Sequence, residues 1–201
     1  MRLTISEAED LVVSILLRSK VSEDNARCVA RALVAAEAAG QGGHGLRRVP
    51  TYAAQAIAGK VDGFAIPAAT KTAEAVLRVD AAFGFAYPAL DLAVAELAPL
   101  AAKTGIALAA IHRSHHAGVM GLTVERFAEQ GLVALMVANT PAAMAPWGGR
   151  TALFGTNPIA FAAPLPDADP IVIDLAMSKV ARGKIVTAKQ KGLAIPADWA
   201  L

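Results

Sequence analysis

Residues 76–111, VLRVDAAFGFAYPALDLAVAELAPLAAKTGIALAAI, decide the fold class of this chain. Val76-Leu77-Arg78-Val79-Asp80 reads as a strand. Tyr87 to Lys103 reads as a long amphipathic helix, with Pro99 a candidate kink. Ile106 to Ile111 is an apolar strand. The alternation continues downstream, with a helix over Val119 to Gln130, a strand over Leu132 to Ala138, and short strands at Ile159 to Ala163 and Ile171 to Asp174. A basic helix is expected from about Ser178. Strands that alternate with helices, and that are apolar on both faces, predict an α/β fold whose mixed sheet is covered by helices. Upstream the texture is helical. Thr4 or Ser6 can cap a first helix carrying Leu11, Val12, Ile15 and Leu16. Ser22 begins a second, Glu23 and Asp24 suit its positive end, and Gly40 can stop it. Val49 to Ile57 reads as a third, stopping at Gly59, and residues 59–72 read as a connector. The division is therefore an N-terminal helical segment, 1–72, and an α/β domain, 73–201, with no internal repeat.

Composition bounds the function. The chain has 201 residues, 55% of them hydrophobic, enough to bury a sizeable core. No apolar run reaches the roughly 18 residues of a membrane span, so no membrane is expected as partner. Met1-Arg2-Leu3-Thr4 leads into an acidic helix, not a signal peptide. The one cysteine, Cys28, excludes an internal disulfide framework and fits a reducing cytoplasm. Its helical apolar setting reads as a buried core thiol, with nucleophile as the lesser reading. The formal charge is only +2. A late basic cluster (Lys179, Arg182, Lys184, Lys189, Lys191) carries no interleaved aromatics, which argues against nucleic acid. It reads as a solvated helix face, with a phosphate-bearing small molecule as the other option.

The chemistry concentrates in histidine. Three of the four histidines fall in His112-Arg113-Ser114-His115-His116, and the fourth stands in Gly42-Gly43-His44-Gly45-Leu46-Arg47-Arg48. Both segments are breaks between apolar periodic stretches, where a rigid scaffold presents reactive groups. Imidazole moves protons near neutral pH, and a nearby arginine can hold an anionic substrate. Two patterns are decoys. Gly40-Gln41-Gly42-Gly43-His44-Gly45 spells the dinucleotide motif G-x-G-x-x-G, but follows a helix where that motif must follow a strand; its glycines serve instead a tight backbone course around His44. His112 and His116 have metal-binding spacing only on a helix, and here they follow a strand without the glutamate of H-E-x-x-H. No metal is expected, and His112 with His115 reads as structural. Ser114 lacks the G-x-S-x-G elbow of a hydrolase.

Several blocks, in order, resemble one family: Gly43-His44-Gly45-Leu46-Arg47-Arg48-Val49-Pro50-Thr51-Tyr52, Gly59-Lys60-Val61-Asp62-Gly63, Ser114-His115-His116-Ala117-Gly118, Ala138-Asn139-Thr140, Phe154-Gly155-Thr156-Asn157-Pro158, and Asp174-Leu175-Ala176-Met177-Ser178 with Ala181-Arg182-Gly183-Lys184. The chain resembles the type-2 malate/L-lactate dehydrogenases, a family that also holds ureidoglycolate, sulfolactate and diketogulonate oxidoreductases and pyrroline- and piperideine-2-carboxylate reductases. The resemblance implies a non-Rossmann fold that binds NAD or NADP, with residues 73–201 as the cofactor-binding domain. It implies hydride transfer to or from a small 2-oxo or 2-hydroxy acid, with cyclic imino acid reduction as the alternative. By position, His44 matches a proton donor of some members and His116 an acid/base of others, and Asp174 matches a relay aspartate. Arg48 and Tyr52 match positions beside the substrate carboxylate. Thr140, Ile173, Asp174, Leu175, Ala176, Met177 and Ser178 match cofactor contacts, and Gly155, Thr156 and Asn157 lie beside the site. The family also implies a homodimer.

The roles are physically sensible. Hydride arrival at a carbonyl or imine leaves charge that a positioned acid must neutralise. A carboxylate beside an imidazole fixes its tautomer, and a guanidinium grips a carboxylate with two prongs. Asp174 has a purely structural alternative, as a strand-end cap for the next helix. Two departures stand out. Gly43 replaces the family's serine, so a serine–histidine–aspartate relay lacks its first member. The chain also stops at Leu201, where family members continue for more than a hundred residues, so it reads as C-terminally truncated. Weak dinucleotide binding by this chain alone is expected, and a catalytically silent remnant that only folds or oligomerises is the competing reading.

Overall fold

The computed structural model describes residues 2–180, 184–185, 188–189, 191–196 and 199. Helix α1 spans Ile5–Leu17, and Thr4 closes a capping box at its start: the Thr4 hydroxyl accepts from the Glu7 amide (3.2 Å) and the Glu7 carboxylate accepts from the Thr4 amide (2.8 Å). Helix α2 spans Glu23–Ala38 with Ser22 as its cap. Asn25, buried in α2, donates to the carbonyls of Gly63 (2.9 Å) and Ala65 (3.0 Å), stitching the connector to the helix. After the His44 loop, a 3-10 turn at Leu46–Arg48 runs into α3, Val49–Ile57. Leu16, Val29, Leu33 and Tyr52 are almost wholly buried where these three helices meet Phe85 and Leu90.

Two three-stranded sheets follow. In the first, β1 (Ala68–Ala73) pairs antiparallel with β2 (Val76–Asp80), and β2 pairs parallel with β3 (Leu108–His112). Helix α4, Ala86–Thr104, crosses between β2 and β3 and continues through Pro99. It ends at Gly105, whose φ of +80° suits only glycine comfortably. The second sheet is antiparallel throughout, β4 (Ala134–Val137), β5 (Ile159–Leu165) and β6 (Ala168–Leu175) in that order. Helix α5, Gly121–Ala128, lies on it, with Met120, Val124 and Ala128 against Ala160 and Ala162. Those alanines let the helix approach the sheet closely.

The mixed α/β architecture holds, with two refinements. Residues 68–72, expected within a connector, form β1 together with Ala73. Its AATKTA sequence has no apolar face and every side chain is exposed, so the pairing to β2 alone makes it a strand. The strands of the second sheet are largely apolar on both faces, but among the described residues the helices cover one of those faces only. The other carries the ladder Leu135–Phe161–Ile173 beside Val137–Ile159–Leu175, and its outer members are exposed. The basic helix expected from Ser178 lies in part outside the described residues. No described helix is long and apolar enough to cross a membrane.

Candidate active site

The His44 loop is shaped by glycine at two points. Gly40 follows the C-cap of α2 with φ +75°. Gly45 lies against α2 so closely that a Cβ there would come within 2.9 Å of the Glu37 amide nitrogen. The Glu37 carboxylate accepts from the Leu46 amide at 2.9 Å, tying the loop's exit to the helix. The Gly40–Gly45 segment thus joins two helical elements, and no strand precedes it. Arg48 is half-buried and donates from Nε to the Gly43 carbonyl at 2.8 Å, while Arg47 is exposed.

The second loop leaves β3. Arg113, at φ +51°, pairs with Asp80 and lies 4.9 Å above the Phe83 ring, which anchors the turn. His112 stays at the end of β3, 3.7 Å from Asp80. His115 donates its amide to the Gly84 carbonyl (3.1 Å), and its Nε2 meets Gln55 Oε1 at 2.8 Å. It bridges α3 and the loop, while its Nδ1 is buried with no hydrogen-bond partner among the described residues. His116 turns inward: its Nδ1 lies 2.7 Å from the Tyr52 hydroxyl, and its ring stacks on that of His44 with centroids 5.2 Å apart and planes within 7°. The two histidine loops, distant in sequence, are thus brought together ring on ring. Among the described residues no cluster of three or more potential metal ligands occurs.

Charge at this site is arranged against the imidazolium form. Burial, then Arg48, then the other imidazoles hold His116 down at about 3, and burial with Lys60 and Arg48 holds His115 at about 4. His44 is lowered by burial and by Arg48, and Asp174 opposes the shift. The Tyr52 hydroxyl is pushed well up by burial and stays protonated. Among the described residues no carboxylate pairs with Arg48, whose charge bears on three neutral imidazoles, a setting that an incoming carboxylate would relieve.

Asp174 stands on β6, paired with Ala160 on the helix-covered face. Its Oδ2 accepts from the Gly121 amide at 2.8 Å, at the N-terminus of α5. The capping task foreseen for it is real, but the helix capped precedes it in the chain. Among the described residues no hydrogen bond joins Asp174 to His44, and His44 Nδ1 is buried without a partner. A Cβ on Gly43 would meet nothing within 4 Å, so the absent serine leaves open space beside that nitrogen's loop. Thr140 accepts from the Asn157 amide (3.4 Å) and donates its own amide to Asn157 Oδ1 (3.0 Å), and its hydroxyl meets that of Thr156 at 3.2 Å. The Met177 amide donates to the Thr156 carbonyl at 2.8 Å. Thr140 and the Ile173–Ser178 segment are therefore knitted into one surface, on which Ile173, Leu175 and Met177 remain exposed.

Three participants were not singled out from sequence: Tyr87, whose hydroxyl lies 3.2 Å from that of Tyr52, Gln55 and Glu37. One signal was available for the first. The chain has only two tyrosines, and both lie here.

A family model described as malate/L-lactate dehydrogenase matches residues 3–201. The (2R)-3-sulfolactate dehydrogenase (NADP(+)) of Chromohalobacter salexigens is 50% identical over 99% of this chain and 60% of its own length. A Delta(1)-pyrroline-2-carboxylate/Delta(1)-piperideine-2-carboxylate reductase of Pseudomonas putida is 44% identical over 97% of this chain and 57% of its own. The crystal structure of delta1-piperideine-2-carboxylate reductase from Pseudomonas syringae pvar. tomato superposes with a TM-score of 0.93 at 40% identity, covering 98% of this chain and 59% of that one. The chain spans about three-fifths of the length of these relatives.

Proposed function

We propose, from the premise that the chain belongs to the malate/L-lactate dehydrogenase family, that it is an NAD(P)-dependent oxidoreductase interconverting a small 2-oxo acid and its 2-hydroxy acid. The observation that carries this reading is the stacked pair His44 and His116 beside the half-buried Arg48. The 50% identical relative named for 3-sulfolactate and NADP(+) makes sulfopyruvate and NADPH the first pair to test. NADPH, when bound, supplies the hydride.

The chain's own residues supply the rest. Arg48 grips the substrate carboxylate, with Tyr52 behind it. His44 and His116 are the two candidates for moving the proton on the substrate's oxygen. Asp174 steadies His44 electrostatically from β6 and caps α5. The exposed apolar side chains of Ile173, Leu175 and Met177 suit the face of a planar nicotinamide, and the Thr140 hydroxyl suits its polar edge. Asp174, Ala176 and Ser178 complete that cofactor segment. A homodimer in the cytoplasm belongs to the same reading. A second reading, reduction of a cyclic imino acid, is favoured by the 44% identity to the P. putida reductase.

Oxidation of NADPH and NADH should be followed with sulfopyruvate, pyruvate, oxaloacetate and pyrroline-2-carboxylate. Turnover is expected on an acyclic acid first. Turnover on pyrroline-2-carboxylate alone would favour the second reading, and none on any would leave a silent fold. With an active protein, His44→Gln and His116→Gln assign the acid: the true one loses kcat about a hundredfold or more while cofactor affinity is kept.

A further inference from the structure

His116 is held from behind by a chain of hydroxyls. Its Nδ1 lies 2.7 Å from the Tyr52 oxygen, which lies 3.2 Å from the Tyr87 oxygen. Tyr52 is 1% and Tyr87 7% exposed, so bulk water does not interrupt the row. The outer end is built for this contact. Tyr87 sits in the first turn of α4, and its hydroxyl abuts Gly118, two residues beyond His116. Gly118 has φ +70°, and a Cβ there would come 2.5 Å from the Tyr87 oxygen. Only glycine satisfies both the backbone angle and the approach of the phenol.

A phenol has one proton to give and can accept as well, so the row runs in one of two directions. Run inward, Tyr87 donates to Tyr52 and Tyr52 donates to His116 Nδ1. Each hydroxyl proton then has a protein acceptor, and the imidazole carries its own proton on Nε2. Run outward, His116 donates to Tyr52 and Tyr52 to Tyr87, and among the described residues no acceptor is found for the Tyr87 proton. A buried donor without an acceptor costs more than an unused lone pair. We propose that Tyr87 is a positioning residue that acts through Tyr52 to hold His116 as the Nε2–H tautomer, leaving Nε2 as the nitrogen that faces chemistry. Tyr87 touches neither His116 nor, on this assignment, the substrate. Its role in turnover rests on the redox reading above, whereas its effect on the imidazole does not.

The test is long-range ¹H–¹⁵N NMR of the imidazoles of the protein without cofactor. Only four histidines need assignment, and a His116→Gln variant identifies the resonance. The wild-type His116 should show a protonated Nε2 and an unprotonated Nδ1 at pH 7. Tyr87→Phe should shift His116 toward a mixture of tautomers, and Tyr52→Phe should shift it further. Gly118→Ala, which pushes the Tyr87 oxygen away, should act like Tyr87→Phe. A wild-type ring protonated on Nδ1 overturns the proposal, as does a Tyr87→Phe spectrum identical to wild type in a folded protein. In an active protein Tyr87→Phe should lower kcat about five- to tenfold with KM little changed, the size of one net hydrogen bond. A protein that shows the tautomer pattern but no turnover refutes the redox reading and leaves the hydroxyl row standing.

Discussion

Arg48 is the residue on which the charge of the site turns. It depresses His44 and His116 second only to burial, and His115 after burial and Lys60. The native state therefore keeps neutral imidazoles that an unfolded chain would protonate near pH 6.5. Below that pH the unfolded state binds more protons, so stability falls as pH drops from about 6.5 toward the native values near 3 and 4. His116, the more deeply buried of His115 and His116, contributes a slope of up to about 1.4 kcal/mol per pH unit across that window. Urea midpoints taken at pH 7.5, 6 and 5 should fall accordingly, and Arg48→Gln should flatten the fall and raise the His116 pKa seen by NMR. A midpoint that is level from pH 7.5 to 5 contradicts this. These residues were legible in the sequence because histidine and arginine declare their chemistry wherever they stand. Tyr87 and Gln55 were not, because nothing in their local sequence says which loop the fold will bring against them.

Helices were legible where local chemistry makes them. Thr4 with Glu7, Ser22 before an acidic turn, and Gly105 at φ +80° each mark an end by a hydrogen bond or an angle that the neighbouring residues alone determine. Strand β1 was not, since its polar alternation earns no burial and only β2 holds it. Loops are intermediate. The glycines around His44 could be read as a tight turn, yet the partner they turn against, Glu37 on α2, emerges only from the packing. Gly45→Ala tests that contact. Its new methyl meets the backbone of Glu37, which cannot move without unwinding the end of α2, so the variant should lose about 1–3 kcal/mol of stability. The His44–His116 stack should loosen with it, visible as a changed ring-current shift on His116. Gly43→Ser, with open space around its Cβ, should keep stability within about 0.5 kcal/mol, and the two glycines two residues apart then separate a packing role from a chemical one.

At the scale of the whole molecule the unbalanced feature is the outer face of the second sheet. Register places Leu135, Phe161 and Ile173 in one row and Val137, Ile159 and Leu175 in the next, all on the side away from α5. Leu135 is 69% and Val137 67% exposed. Contiguous apolar surface of this kind is uncommon on an isolated soluble domain and favours association or dye binding. The opposite face of the same three strands carries Ala160, Ala162 and Asp174, so the sheet that holds the Asp174 carboxylate toward α5 presents its bare side outward. Charging the β4 members of these rows, Leu135 and Val137, therefore alters the surface and leaves the Ile173–Ser178 segment unchanged. Leu135→Glu combined with Val137→Glu should abolish fluorescence enhancement of an apolar dye such as ANS and raise solubility, while the His44 and His116 resonances stay in place. Strong dye binding that survives both substitutions would move the exposed apolar surface elsewhere, to Ile106 and Leu108 at the entry to β3, where large side chains are also left uncovered.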